Sequence, residues 1–184
     1  MLDRRIFLFG VGATLVSTAP GLSHDISTST RARLAPKRVK FSGYAPGTVV
    51  IDPGARRLYY VETRSAATRY VVAVGRAGTS LKGNAVVGRK AEWPSWRPTD
   101  SMIRRQPWKY ARYRNGLPGG PKNPLGSRAL YLYRDGKDTY YRIHGTNNPS
   151  SIGRAVSNGC IRMLNKHVEQ LYARVPIGAK VTIL

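Results

Sequence analysis

From Gly47 onward the chain is cut into short β-branched and aromatic runs by glycine and proline, and only one stretch carries a helical period. Runs this short exclude a helical bundle and point to a sheet protein. Thr48 to Asp52 is β-branched and ends at the turn pair Pro53-Gly54. Arg57 to Glu62 and Arg69 to Gly75, rich in Tyr and Val, read as the next two strands. Arg128 to Arg134 and Thr139 to His144 flank Asp135-Gly136-Lys137-Asp138, a four-residue hairpin signal, and Ala179 to Leu184 makes a closing strand. The helical stretch places Val168, Leu171, Tyr172 and Val175 at i, i+3, i+4 and i+7, with Asn165 positioned as its cap and Pro176 as its stop. The expectation is a mostly-β domain with one or two short helices.

The segment between Gly88 and Gly126 breaks this rhythm. It has little periodicity and contains Glu92-Trp93-Pro94-Ser95-Trp96-Arg97-Pro98 and Pro118-Gly119-Gly120-Pro121. Irregular stretches this long in a compact domain are usually functional or disordered. Trp93, Trp96 and Trp108 argue against disorder, because aromatic rings need burial or a partner. The segment reads as a cap over a cleft, with Trp93 and Trp96 the candidate substrate-contacting residues, or as a packed Ω-like loop.

The N-terminus reads as an address. Arg4-Arg5 precedes an uncharged apolar run from Ile6 to Ala19, and Gly21-Leu22-Ser23 offers a cleavage site. That run is about fourteen residues, short of the ~20 that span a bilayer. Residues 1–23 are therefore expected to be an export signal, and Arg4-Arg5-Ile6-Phe7-Leu8 resembles the twin-arginine type, with Asp3 as a departure. Residues 24–43, polar and basic, read as a flexible lead-in. The expected location is the periplasm or cell envelope, reached through the export machinery.

Charge agrees with that address. The chain carries 31 basic and 9 acidic residues, a net +22, which attracts polyanions. The basic residues are scattered, without zinc-finger spacing, an RNA-binding aromatic signature or a helix-turn-helix, so nucleic acid is not expected as a partner. An anionic envelope fits better. The single cysteine excludes an intramolecular disulfide and any metal site built on cysteine pairs. His24 and His167 show no ligand spacing with His144, so neither metal nor cofactor is expected.

That cysteine, Cys160, lies in Ser157-Asn158-Gly159-Cys160-Ile161-Arg162-Met163, sixteen positions after His144 in His144-Gly145-Thr146. A thiol is a strong nucleophile as the thiolate, and a nearby imidazole is the usual way to generate one. Gly145 lets the chain turn after the histidine. Gly159 leaves room for a carbonyl beside the backbone, where the amides of Gly159 and Cys160 could form an oxyanion hole. The alternative is an inert thiol and a core histidine.

The two motifs, His144-Gly145-Thr146 and Ser157-x-Gly159-Cys160-Ile161-Arg162-Met163, resemble the signature of the L,D-transpeptidase catalytic domain (YkuD-like) family. Gly47 to Asp52, Asn123 to Leu132 and the Glu92-Trp93-Pro94 loop extend the resemblance over residues 44–184. It implies a β-sandwich-like fold with mixed sheets. It also implies Cys160 as nucleophile and His144 as base, oriented through its second ring nitrogen by a backbone carbonyl such as that of Gly145. Ser157, Gly159 and Arg162 match supporting motif positions; Arg162 would hold substrate or polarise the site, or form a structural salt bridge. Asn158 stands where many members have histidine, so no role of that histidine carries over. The implied reaction forms a thioester on Cys160 with a peptidoglycan tetrapeptide stem and releases D-alanine. The acyl group then passes to an amine of another diaminopimelate-containing stem (a 3→3 cross-link) or of an envelope protein. Water or a free D-amino acid as acceptor, and a non-catalytic wall- or polyanion-binding module, are the alternatives.

Overall fold

The computed structural model describes residues 28–76 and 81–184. The expected export signal and the lead-in up to residue 27 lie outside the described residues. The rest of the lead-in is not a flexible segment. Thr28–Leu34 forms helix α1 and Lys37–Lys40 forms strand β1. Leu34 anchors this segment by packing with Ala73 and Ile152. β1 is a sheet edge, and its exposed Lys37, Arg38 and Lys40 are the kind of charges that keep an open edge from pairing further.

Among the described residues, nine strands form one mixed sheet in the order β1, β4 (Ala66–Val71), β3 (Arg57–Thr63), β2 (Val49–Asp52), β11 (Lys180–Ile183), β6 (Gly83–Glu92), β7 (Arg128–Arg134), β8 (Lys137–His144) and β10 (Ile161–Arg162). The β2–β11 and β8–β10 pairs are parallel and the other pairs antiparallel. β5 (Val74–Gly75) and β9 (Ala155–Ser157) form a separate parallel ribbon. The mixed, mostly-β architecture expected from the sequence is therefore present, as one long sheet and a ribbon. Every strand from β4 round to β10 contributes to a single core: Tyr70, Leu58, Ile51, Val181, Val87, Leu132, Ile143 and Ile161 meet there. A sheet whose nine strands largely share one core has to wrap around it.

The core's helical partner is α4 (Asn165–Arg174), which packs Val168 and Leu171 against β7 and β8. Its period was legible; its cap was not. Leu164 occupies the N-cap position without a side-chain bond, and the Asn165 side chain is used elsewhere. Two further sequence expectations are corrected. Gly88 to Glu92 is not irregular but completes β6, the longest strand. The β7–β8 turn is two residues rather than four: Asp135 and Gly136 have φ of 51° and 74°, the left-handed pair of a tight hairpin.

Between β6 and β7 the chain does leave the sheet. It forms α2 (Asp100–Arg105), the single turn α3 (Pro107–Tyr110) and a 3₁₀ turn at Ala111–Tyr113. Thr99 caps α2 by accepting from the Met102 amide at 3.2 Å. The excursion is tied back at its base, where Trp96 and Leu117 exchange backbone hydrogen bonds of 2.9 and 2.7 Å. Asn123 Nδ2 donates to the carbonyls of Leu117 and Pro118. The Trp96 ring contacts Tyr110 and Tyr113. Trp108 does not follow the burial expected of it: it is 79% exposed, so only Trp96 and, in part, Trp93 support the order of this segment.

Candidate active site

Register across β6, β7, β8 and β10 builds the site. Ile161 pairs with Ile143 and Arg162 with His144, so Cys160, one residue before β10, comes level with Arg142. Residues level in a sheet point to the same face. Cys160 and Arg162 therefore share a face with Arg142 and His144. The rows continue through β7 and β6. Arg142 lies opposite Tyr131, and Tyr131 opposite Arg89; His144 lies opposite Ala129, and Ala129 opposite Ala91. The opposite face carries Leu130, Leu132, Ile143 and Ile161 into the core. One sheet thus has an apolar face toward α4 and a second face that carries Cys160, His144, Arg142 and Arg162.

Part of this second face borders a cleft of about 1250 Å³ that is also lined by the β6–β7 excursion. Cys160, Arg142, Tyr131 and Asn158 line it, as do Trp93 and Trp96. Asn158 is exposed and also lines a smaller adjoining cavity of about 430 Å³. Cys160 is half-buried, whereas His144 is only 4% exposed.

Local hydrogen bonds fix both residues. His144 Nδ1 lies 2.6 Å from the Gly145 carbonyl oxygen. A carbonyl only accepts, so Nδ1 carries the hydrogen of the neutral ring and Nε2 keeps its lone pair. Ser157 Oγ donates to the Cys160 carbonyl at 2.6 Å and accepts from the Gly159 amide at 3.1 Å. Gly159 has φ of 128°, a conformation glycine tolerates and other residues resist. This staple corrects one expectation: the Gly159 N–H is engaged by Ser157 and does not stand free for an oxyanion.

Asn165 does work the sequence did not suggest. Its Oδ1 accepts from the Thr146 amide at 3.0 Å and from the Ser127 amide at 3.3 Å. It fills the space left by Gly126 and Gly145, where an added Cβ at either glycine would collide with that oxygen. Gly145 is therefore glycine for lack of room.

Strand β8 carries a bulge beside the cysteine. Tyr131 pairs with Arg142 but Tyr133 pairs with Asp138, and Tyr140 in between has φ of 61°. A tyrosine in this region costs about 1–3 kcal/mol. Asp138 holds it, accepting from the Tyr140 amide at 2.8 Å while forming a two-pronged ion pair of 2.7 and 2.8 Å with Arg142. The bulge turns the Tyr140 carbonyl toward Cys160 Sγ, 3.7 Å away.

Electrostatics set the resting state. Burial pushes the Cys160 thiol up from its ordinary value; the Arg142 amide and the guanidiniums of Arg142 and Arg162 pull against this. Burial pushes His144 down to about 3, and Arg162 adds to the depression, opposed by backbone bonds from Gly145 and Leu125. The resting pair is a neutral thiol and a neutral imidazole, with two cations positioned to stabilise a thiolate when one forms.

Residues 46–183 match the family model of the L,D-transpeptidase catalytic domain, YkuD. The chain belongs to this family. It is 32% identical over 184 residues to a probable L,D-transpeptidase of Escherichia coli, ErfK/SrfK, covering 96% of this chain and 56% of that protein. The chain thus spans about half the length of the first curated relatives it matches. A crystal structure from Brucella melitensis, described as a probable carnitine operon oxidoreductase, is 54% identical, with a TM-score of 0.57, over 82% of this chain and 93% of that one. That description differs from the activity in the family's name, on which the family match and the curated relative agree. An L,D-transpeptidase from Mycobacterium smegmatis shares the fold at 16% identity and a TM-score of 0.53, over 74% of this chain and 58% of that one.

The sequence reading missed Asn165 as a support, and Arg142, Asp138, Tyr140, Tyr131 and Arg89 as floor and wall of the site. These residues meet through strand register, which no local pattern announces.

Proposed function

We propose that this protein is a cysteine acyltransferase of the cell envelope that acts on peptidoglycan tetrapeptide stems. The observation that carries the proposal is the shared face of Cys160, His144, Arg142 and Arg162, with Cys160 and Arg142 opening into a large cleft, in a chain of the L,D-transpeptidase family. Cys160 Sγ gives its proton to His144 Nε2 as it attacks the carbonyl of the third stem residue, a diaminopimelate. Arg142 and Arg162 stabilise the sulfur's developing charge. The oxyanion faces the Cys160 amide, while Ser157 keeps the Gly159 amide and holds the turn in shape. Collapse breaks the bond to the terminal D-alanine, whose amine takes the proton from His144. An acceptor amine then attacks the thioester, His144 removes its proton, and Sγ leaves. An amine of a second stem gives a 3→3 cross-link; an amine of an envelope protein anchors that protein to the wall. The export signal expected over residues 1–23 and the net charge of +22 support an envelope location among acidic wall polymers.

Purified protein incubated with a defined tetrapeptide stem tests this. Release of D-alanine and a mass increase equal to the acylated tripeptide, both lost in Cys160→Ala, are the expected results. Accumulation of free tripeptide with no amide product would make water the acceptor and the protein a carboxypeptidase. No adduct with either a stem or a carbapenem would leave a binding module.

A further inference from the structure

We infer that Arg89 is a carboxylate-binding residue of the cleft that selects acyl donors bearing a second free carboxylate beyond the scissile bond. The inference rests on the donor reading given above. Arg89, Tyr131 and Arg142 lie opposite one another on β6, β7 and β8, and Cys160 comes level with them. Both guanidiniums lie over the Tyr131 ring, Arg89 at 3.4 Å and Arg142 at 4.2 Å from its centroid. Tyr131 is itself only 6% exposed, so the ring is a fixed platform rather than a mobile partner.

The two arginines differ in what neutralises them. Arg142 is taken by both carboxylate oxygens of Asp138. Arg89 is exposed, lines the cleft, and has no carboxylate partner among the described residues; nearby Glu92 is paired with Arg128 at 3.1 Å. A guanidinium held against a ring is already ordered and loses less freedom on binding a carboxylate. Its forked donors match that geometry.

Distance fits the donor. Strands lie about 4.8 Å apart, so Tyr131, two strands from Cys160, is about 10 Å from it, and the Arg89 guanidinium, 3.4 Å from the Tyr131 ring, is about 10–13 Å away. In a stem, the side-chain carboxylate of diaminopimelate and the carboxylate of the residue before it are each about six or seven bonds from the scissile carbonyl, ~8 Å when extended. Adding a hydrogen bond of about 2.8 Å reaches Arg89.

The test uses equilibrium binding, so that it does not depend on turnover. Calorimetry on the Cys160→Ala protein would compare the free tetrapeptide stem with two forms, one amidated at the diaminopimelate side chain and one at the preceding residue. The free stem should bind about tenfold more tightly than one of the amidated forms, as expected for a charge-assisted bond. Which one identifies the carboxylate read. Adding Arg89→Gln should reduce that preference to less than twofold, with an unchanged melting temperature. Equal binding of all three stems, or equal weakening of all three by Arg89→Gln, overturns the inference. D-alanine release by the unaltered protein is read separately. An Arg89-dependent preference without release keeps the carboxylate subsite and overturns the donor reaction. Release without preference does the reverse.

Discussion

Replacing Asn165 by alanine removes one oxygen that two buried backbone amides share. Thr146 and Ser127 are 3% and 0% exposed, so neither amide has water at hand. An unmet buried donor costs about 1–3 kcal/mol, and partial relaxation puts the total for Asn165→Ala at about 2–4 kcal/mol. For a domain of this size that lowers the melting temperature by about 5–15 °C. Gly145→Ala should cost a similar amount, because its Cβ collides with the same oxygen and must expel it. With Asn165 already alanine, the nearest of the remaining atoms to the new Cβ are Ser127 N at 3.1 Å and Gly126 Cα at 3.2 Å, which small shifts relieve. The double variant should therefore be less destabilised than the sum of the two by at least ~1 kcal/mol, a coupling expected only of residues that share a site. Denaturant unfolding of the four proteins measures it. The same variants report on function: loosening the turn that carries the Gly145 carbonyl frees the His144 ring and should slow carbapenem acylation of Cys160 about tenfold. Additive single effects, or an Asn165→Ala cost below ~0.5 kcal/mol, would refute the shared-oxygen argument.

Ser157→Ala removes the staple across Ser157 to Cys160 and should slow acylation about tenfold or more, read by the rate of the mass adduct. An unchanged or faster rate would mean that the Gly159 amide, once released, serves the oxyanion better than it serves the turn. Because the thiol is raised above its ordinary value, His144 is held near 3 and the two react as a neutral pair, the acylation rate should be level from about pH 5 to 8, with no limb near 6.5. A rate that climbs through 6.5 would show that His144 titrates as an ordinary imidazole and would refute the burial argument. His144 favours the neutral form in the folded state, so its contribution to stability is complete above 6.5 and is lost as pH falls toward 3. The unfolding free energy should therefore fall by about 1.4 kcal/mol per pH unit per proton in that window, with His144→Gln reducing the slope by about one proton, as read by denaturant unfolding. His167, also depressed by burial, adds to the remaining slope.

Local pattern made the strands β2, β3, β7, β8 and β11 readable, because β-branched and aromatic runs between turn residues have few other uses. It concealed β6. Gly88 looks like a breaker, yet it sits at a bulge where the Tyr133 ring lies against its backbone and leaves no space for a Cβ. The hairpin was found but its turn was overcounted, since Lys137 and Asp138 are polar enough for a loop while Asp138 is needed in the strand to hold Arg142. The cysteine, histidine and motif serine were readable because their flanking glycines and spacing are local. Asn165 was misread for a physical reason: an asparagine before an apolar helical period is a normal cap, and only the three-dimensional approach of Gly126 and Gly145 gives it another use.

The neutral resting pair has a consequence for selectivity. A preformed thiolate would react with any electrophile that reached it, whereas a protonated thiol waits for a partner that makes ionisation favourable. Here the cations that would pay for ionisation, Arg142 and Arg162, share a sheet face with the sulfur. Arg142 is half-neutralised by Asp138, and the strength of that pair sets how much positive field reaches the sulfur. Asp138→Asn would release Arg142 from its counter-charge and also remove the carboxylate that raises the thiol. The adduct should then form faster at neutral pH. The same variant weakens the acceptor that holds the Tyr140 bulge, so stability should fall while reactivity at neutral pH rises. Falling stability with an unchanged acylation rate at neutral pH would show that Asp138 shapes the strand but does not tune the sulfur.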